Sequence, residues 1–321
     1  MRGGDYRNQA CDGVTMPRIG LVLGGGGITG TAFHAGVITA LAEAGWDARD
    51  ADIIVGTSAG STAAALMRAG LPPKDYLPRV VGEPVSAEGA RVLNRIGRIP
   101  QPPPRRRGSL RPASPELLRA IARRPWQYPF GVRLAATLPV GTVAIEEVNP
   151  GFGPLFDSWP LNPMWITAVD LGTGRRAVFG REDTASVPDA VSASCAIPGY
   201  FAPVEISGRR YVDGGAHSVN NLDLVIGEPL DLVIVSAPLS TLDAFALETG
   251  NVPRAAIRRQ LDREVRAVRR AGIPVEVFAP DARLRSIMGI NSMDLRKRPA
   301  VARAAREYTI RRVRSGFPPL Q

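Results

Sequence analysis

Two apolar strands, each running straight into a glycine-rich turn and then a helix-forming stretch, limit the fold of this chain more than any other feature. Residues 18–23 read RIGLVL, a short buried strand; Gly24 to Gly27 follow, then helix formers from about Thr31 to Glu43, closed by Gly45. Asp52 to Val55 is a second apolar strand, Gly56-Thr57-Ser58-Ala59-Gly60 the turn, and Ala59 to Ala69 a second helix ended by Gly70. This alternation predicts parallel βαβ units. A chain of 321 residues, 45% of them apolar, has room for one large α/β domain or two small ones. It contains no run of 18 or more apolar residues of the kind that crosses a membrane.

The alternation then breaks. Residues 71–160 are rich in proline and arginine and include RIPQPPPRRRG, where Pro102 to Pro104 favour extended polyproline geometry. Ser114-Pro115-Glu116 is an N-cap with proline at the first helical position and predicts one short helix ending near Arg124. WQYPF at 126–130 adds aromatic surface. The stretch 71–160 is read as an insertion beside the core sheet and a candidate lid. Regular structure resumes with a hairpin, Trp165 to Val169 and Arg176 to Phe179, around Gly172-Thr173-Gly174. A short helix is expected at Pro188 to Ser194, short strands near Val204 and Tyr211, and a buried strand at 231–238. An amphipathic helix from Pro253 to Ala271 carries Ile257, Leu261, Val265 and Val268 on one stripe. A strand at 274–280 and a basic helix from about Met293 to Arg314 complete the pattern. Residues 1–17 read as a flexible lead-in without the apolar core of a signal peptide, which sets the expectation of a cytoplasmic protein.

Charge and cysteine content narrow the classes of function. The net charge is +10, and Lys74 and Lys297 are the only lysines. From Arg91 to Arg124 ten arginines stand against a single acid, Glu116. Such an excess suits an anionic surface, phospholipid headgroups or nucleic acid; a solvated basic loop is the plain alternative. Two cysteines, Cys11 and Cys195, build neither a disulfide framework nor a cysteine metal site.

The first glycine turn supports two chemistries. Gly25-x-Gly27-x-x-Gly30 between a strand and a helix satisfies the dinucleotide fingerprint, which would imply a nicotinamide enzyme. That fingerprint also requires an acid at the far end of the next strand. Here that strand ends in Gly56-Thr57-Ser58, and Asp50 and Asp52 fall before or at its start. In the second reading, consecutive glycines turn their N–H groups into one concavity backed by a helix dipole, an oxyanion hole. The second turn has the form of a nucleophile elbow with Ser58 at its apex. Such a serine needs a base, and the chain has only two histidines, His34 and His217. His34 lies within the first helix. Asp213 and His217 would follow Ser58 in the chain order of a Ser-Asp-His triad, but they are four residues apart, whereas the acid of a triad must orient the imidazole from behind. Asp213 follows a short strand and precedes two glycines that permit close approach; it serves either as a general base or as the cap of a tight turn.

Together these pieces resemble the patatin-like phospholipase family. Gly25 to Gly30 is similar to its G-G-G-x-x-G block, Gly56-Thr57-Ser58-Ala59-Gly60 to its G-x-S-x-G elbow, and Asp213-Gly214-Gly215 to its D-G-[AG] block. ASCAIPGYFAPVEISGRRYVDGG resembles the segment leading into the last of these. The likeness spans roughly residues 19 to 225 and is weaker in MGINSMD. The resemblance implies a three-layer α/β/α sandwich with a mainly parallel sheet, formed as a single domain over 18–321 with further strands and helices at 229–321. It implies hydrolysis of lipid acyl esters by a Ser58–Asp213 dyad without histidine, with the amides of Gly25, Gly26 and Gly27 as oxyanion hole. Gly30, Gly56, Gly60, Gly214 and Gly215 support the motifs, and no metal or organic cofactor is implied. Many members carry Arg or Lys where this chain has Thr29. The alternatives are an acyltransferase or general carboxylesterase on the same dyad, or a non-catalytic lipid- or membrane-binding protein. The expected partners are a lipid acyl ester and, through the 91–124 arginines, the surface of an anionic membrane, without nucleic acid.

Overall fold

The computed structural model describes residues 17–97, 111–145, 150–240 and 252–316. Its centre is an eight-stranded sheet. Strands β1 (Ile19–Leu23), β2 (Ile53–Thr57), β3 (Met164–Asp170), β7 (Leu232–Ser236) and β8 (Val275–Phe278) run parallel in the order β3-β2-β1-β7-β8. The short strands β4 (Arg176–Phe179), β5 (Val204–Ile206) and β6 (Arg209–Asp213) add the antiparallel part. The central strands are buried on both faces, and their side chains divide by the period of two. Leu21, Leu23 and Ile54 enter one apolar cluster, and Val22, Ile53 and Val55 the other.

Helices cover both faces, giving the three-layer α/β/α sandwich. The first face carries α1 (Gly27–Glu43), α2 (Ala59–Arg68), α3 (Pro73–Val81), α7 (Val187–Cys195) and α10 (Arg298–Arg314). The second is covered by α8 (Val252–Arg270), whose Leu261 and Val268 are buried against the sheet. Four shorter helices complete the set: α4 (Ala87–Leu93), α5 (Pro115–Arg123), α6 (Phe130–Thr137) and α9 (Ala282–Met288). Helix α1 is buried all round, as expected of a helix apolar on every side. A Cβ on its Gly36 would stand 2.4 Å from the carbonyl oxygen of Ala302, so this glycine is what lets α1 and α10 touch.

The edges of β3 decide where the site falls. Residues 166–169 of β3 pair with β4. Residues 164–167 pair with β2, and residues 168–170 with β6. Both β2 and β6 overlap the stretch that β4 occupies, so both lie along the opposite edge, end to end. Thr57 is registered on Thr167 and Asp213 on Ala168. Two strands distant in sequence therefore stop head to head on consecutive residues of a third.

Several boundaries differ from the sequence expectation. Helix α1 starts at Gly27 rather than near Thr31, because the glycine turn itself closes into helix, with the Gly30 N–H donating to the Gly26 carbonyl at 2.8 Å. Helix α10 begins at Arg298 rather than Met293, the residues before it being used against the glycine turn. Within 71–160, Tyr76 and Leu77 of α3 belong to the main core, as do Val143, Ile145, Phe152 and Leu155. Only the stretch around α5 and α6 forms its own cluster, with Leu117, Ile121, Val132 and Ala135 packed on Val169, Leu171 and Val212. Residues 1–16, Pro102 to Pro104 and the arginines at 98 and 105–107 lie outside the described residues.

Gly60 sets how closely α2 approaches the sheet: a Cβ there would lie 1.9 Å from the Leu23 carbonyl oxygen. Gly60→Ala is expected to destabilise the protein by more than about 2 kcal/mol in chemical denaturation. Gly153→Ala, where no atom lies within 4 Å of the added carbon, should be close to neutral.

Candidate active site

Ser58 sits between β2 and α2 with φ 52° and ψ −119°, a backbone conformation that L residues rarely adopt. The surroundings hold it there. Its N–H donates to Ser194 Oγ at 2.8 Å, and its carbonyl accepts from the N–H and hydroxyl of Ser61 at 2.9 and 2.6 Å. A Cβ on Gly56 would meet the Ser61 Cα at 2.7 Å, so the turn closes only with glycine on both sides of the serine. This is the strained strand-to-helix elbow that presents a serine hydroxyl.

Asp213 ends β6 opposite the elbow. Its carboxylate accepts the Gly215 N–H at 2.7 Å and lines the same cleft as Ser58. Burial lifts its pKa to about 6, opposed in smaller measure by the nearby Ser58 side chain and by the Gly215 N–H. Its backbone N–H donates to the Ala196 carbonyl at 2.9 Å. The C-terminal end of α7 therefore fixes both partners, Ser58 through Ser194 and Asp213 through Ala196. Beneath them lies a buried polar floor. Thr57 Oγ1 and Thr167 Oγ1 stand 2.8 Å apart, and Asn221 Nδ2 donates to both. Gly214 passes over this floor so closely that a Cβ would sit 2.4 Å from Thr167 Oγ1.

The glycine turn packs against the elbow, the Cβ position of Gly25 being 3.5 Å from Ser58 Cβ. Its amides are not equivalent. The Gly25 N–H is committed to the Val219 carbonyl at 2.8 Å, whereas the Gly26 and Gly27 amides have no acceptor among the described residues. Gly27 has φ +57° and lies against Ser292 and Met293. The Thr29 N–H donates to the Ser292 carbonyl at 3.0 Å, and the Thr29 hydroxyl is buried without a partner among the described residues. From behind, His34 bridges Gly24 and β7: its Nε2 and the Gly24 carbonyl are 2.8 Å apart, and its Nδ1 stands 2.8 Å from Ser236 Oγ. A carbonyl only accepts, so Nε2 carries the proton and the Ser236 hydroxyl donates to Nδ1. Full burial lowers the His34 pKa to about 4, which keeps the ring neutral at physiological pH.

Ser58, Asp213 and Gly25 to Gly27 line one cleft of about 350 Å³, and Leu134 and Leu138 from the α6 region, Ile197, Val219 and Leu239 supply its apolar walls. His217 is not among the residues of this cleft. It lines a separate cavity with Tyr128 and Arg176, and its pKa is lowered to about 4, first by burial and then by Arg176. Asp52, the acid nearest to a nucleotide-binding position, accepts the Ile19 N–H at the opposite end of β2. Sequence reading did not reach Ser194, the α6 wall or Ser292. Ser194 stood in the family-like ASCAIPGYF stretch without a role of its own, the α6 wall carries no motif, and Ser292 lay in the weakly similar MGINSMD stretch. Among the described residues, no group of three or more His, Cys, Asp or Glu side chains is placed to hold a metal ion.

A model of the patatin-like phospholipase family matches residues 21–226, more than half of the chain. The chain belongs to the patatin-like phospholipase family. Uncharacterized NTE family proteins of Mycobacterium bovis and Mycobacterium tuberculosis are 31% identical to it over 222 residues, which cover 69% of this chain and 49% of theirs. The chain thus spans about half the length of these curated relatives. Among solved structures, VipD from Legionella pneumophila aligns over 94% of this chain and 67% of its own, with 14% identity and a TM-score of 0.44. ExoU in its complex with SpcU from Pseudomonas aeruginosa aligns over 94% and 52%, with 19% identity and a TM-score of 0.38. In this patatin-like phospholipase fold, Ser58, Asp213 and the glycine turn line one cleft.

The raised Asp213 pKa has a sign that can be checked. The folded protein holds this proton up to about pH 6, whereas the ordinary carboxyl value is 3.8. Stability should therefore fall as pH rises between these values and stay level above, as far as this group is concerned. Asp213→Asn is expected to raise the thermal midpoint at pH 8, with the gain shrinking to nothing near pH 4. An equal gain at both values would show that the carboxylate is not desolvated.

Proposed function

We propose that the chain is a serine hydrolase that cleaves the acyl ester bonds of lipids, with Ser58 as nucleophile and Asp213 as base. The observation that carries this reading is the strained elbow at Ser58 with the buried Asp213 and the glycine turn in one cleft. The apolar walls of the cleft suit an acyl chain. Asp213 takes the Ser58 proton as Oγ adds to the ester carbonyl. The carbonyl oxygen gains negative charge and faces the two uncommitted amides of Gly26 and Gly27. Collapse of the intermediate breaks the ester C–O bond, and Asp213 returns the proton to the departing alcohol or lysolipid. Water then repeats the sequence against the acyl-serine: Asp213 takes its proton, the hydroxyl adds, and the Ser58 oxygen leaves reprotonated with release of the fatty acid.

Burial strengthens the base. A carboxyl with a pKa of about 6 holds a transferred proton far better than one with the solution value of about 4. It remains ionised at neutral pH, which the first step requires.

Ser58→Ala and Asp213→Ala should each lower hydrolysis of a p-nitrophenyl acyl ester by at least about 10³-fold. His217→Ala, if folded, should keep it; a comparable loss there would restore the triad. The rate should rise with pH through about 6 and reach a plateau. A rate independent of pH between 5 and 7 would remove Asp213 from the role of base.

A further inference from the structure

The rim of the cleft carries an apolar face with no covering element among the described residues. Helix α6 is apolar on two sides. Val132, Ala135 and Ala136 point inward onto the cluster over β3 and β6. Phe130 and Leu134 point outward, 72% and 46% exposed, and Trp126 in the turn just before them is 79% exposed. Phe130, Leu134 and Leu138 recur every four residues, so they form one stripe. Its lower members, Leu134 and Leu138, line the cleft that holds Ser58 and Asp213. The stripe thus runs from the protein surface into the site. Tyr200, half exposed, belongs to the same rim: the neighbouring Gly199 has its Cβ position 3.3 Å from Leu138.

The charge in this stretch is predominantly positive. Between residues 111 and 145 there are five arginines and one acid, Glu116. Arg119, Arg123 and Arg124 are exposed on and just after α5, and none has a carboxylate partner among the described residues. Arg133 lies over the Phe130 ring at 5.8 Å. Exposed aromatic and aliphatic side chains on α6 and the turn before it, beside exposed guanidiniums of the neighbouring α5, match the interfacial zone of a bilayer, acyl chains below and phosphates above. A soluble small ligand would need neither the exposed Trp126 nor arginines spread outside the cleft.

We propose that the α5–α6 tip is a docking face for an anionic phospholipid bilayer, with Trp126, Phe130 and Leu134 entering the acyl region and Arg119, Arg123 and Arg124 contacting headgroup phosphates. Docking in this orientation places the cleft mouth against the membrane. An acyl chain then enters along the α6 stripe without crossing water. Only this last consequence rests on the hydrolase reading; the docking face stands on exposure and charge.

The test uses the full chain as Ser58→Ala, so that binding is read without turnover. Unilamellar vesicles of phosphatidylcholine, with and without phosphatidylglycerol, are assayed by sedimentation and by fluorescence quenching with brominated acyl chains. Binding should require phosphatidylglycerol and weaken as salt is raised. Quenching should be lost in Trp126→Phe, which separates this tryptophan from the other three. Phe130→Ser should lower partitioning roughly ten- to hundredfold. Arg119, Arg123 and Arg124 changed together to Gln should lower it at least about tenfold on anionic vesicles alone. Thermal midpoints within a few degrees of the parent confirm that each variant is folded. Three results would overturn the proposal: no vesicle binding, binding with Trp126 unquenched, or a dimer in light scattering that Phe130→Ser dissociates. The last would assign the face to a second copy of the chain. Loss of ester hydrolysis in the wild type would leave the docking result standing, so the two readings fail separately.

Discussion

One edge of β3 carries the site. Because β4 occupies the other edge, β2 and β6 share what remains and meet end to end, Thr57 on Thr167 and Asp213 on Ala168. The separation of serine and carboxylate is thus a matter of strand register, among the stiffest quantities a protein controls. The same ends are then fixed from outside the sheet by the last turn of α7, which accepts one backbone N–H from each partner. Strain at Ser58 is sustained because sheet register, α7 and the close-packed glycines all oppose its relaxation.

The electrostatics follow from this geometry. A carboxylate at the end of a buried strand loses water and becomes a stronger base, and the N–H of Gly215 and the hydroxyl of Ser58 limit how far that goes. Neither histidine is among the residues that line the cleft of Ser58 and Asp213. The two histidines are used elsewhere, and burial keeps both predominantly neutral. His34 in particular is a strut, tying the start of the glycine turn to β7 through two well-formed hydrogen bonds. Its place within the first helix reads as a packed helix residue, and its full burial behind the turn gives it a supporting role.

Much of this was legible in the sequence wherever glycine punctuates apolar strands. β1, β2 and the elbow follow from RIGLVLGGGG and IIVGTSAG, and the proximity of Asp213 to the elbow was suggested by motif resemblance rather than by any local pattern. Its physical origin was not legible: the register of β6 depends on which edge of β3 is already taken, a fact of tertiary pairing. Helix α6 escaped notice because FGVRLAAT is short and has no side-chain cap. Its two apolar sides also give no clean polar alternation. The long span from 71 to 160 looked uniform in composition, yet Tyr76 at one end and Phe152 near the other pack in the main core. Burial depends on where a chain returns, which proline and arginine content does not encode. The unequal state of the glycine amides was equally hidden, since Val219, which takes the Gly25 N–H, belongs to no motif.

The hydrogen bond from Thr29 to Ser292 joins the first quarter of the chain to the last. It crosses the boundary of the family match, which ends at residue 226. Beyond that boundary also lie Ser236, the partner of His34, and β7, the neighbour of β1 in the middle of the sheet. The stretch that the family model matches is therefore packed against and hydrogen-bonded to residues outside it. A change in residues 289–294 would retune the glycine turn from more than 260 residues away in sequence, leaving the glycine block, the elbow and the Asp213 block untouched.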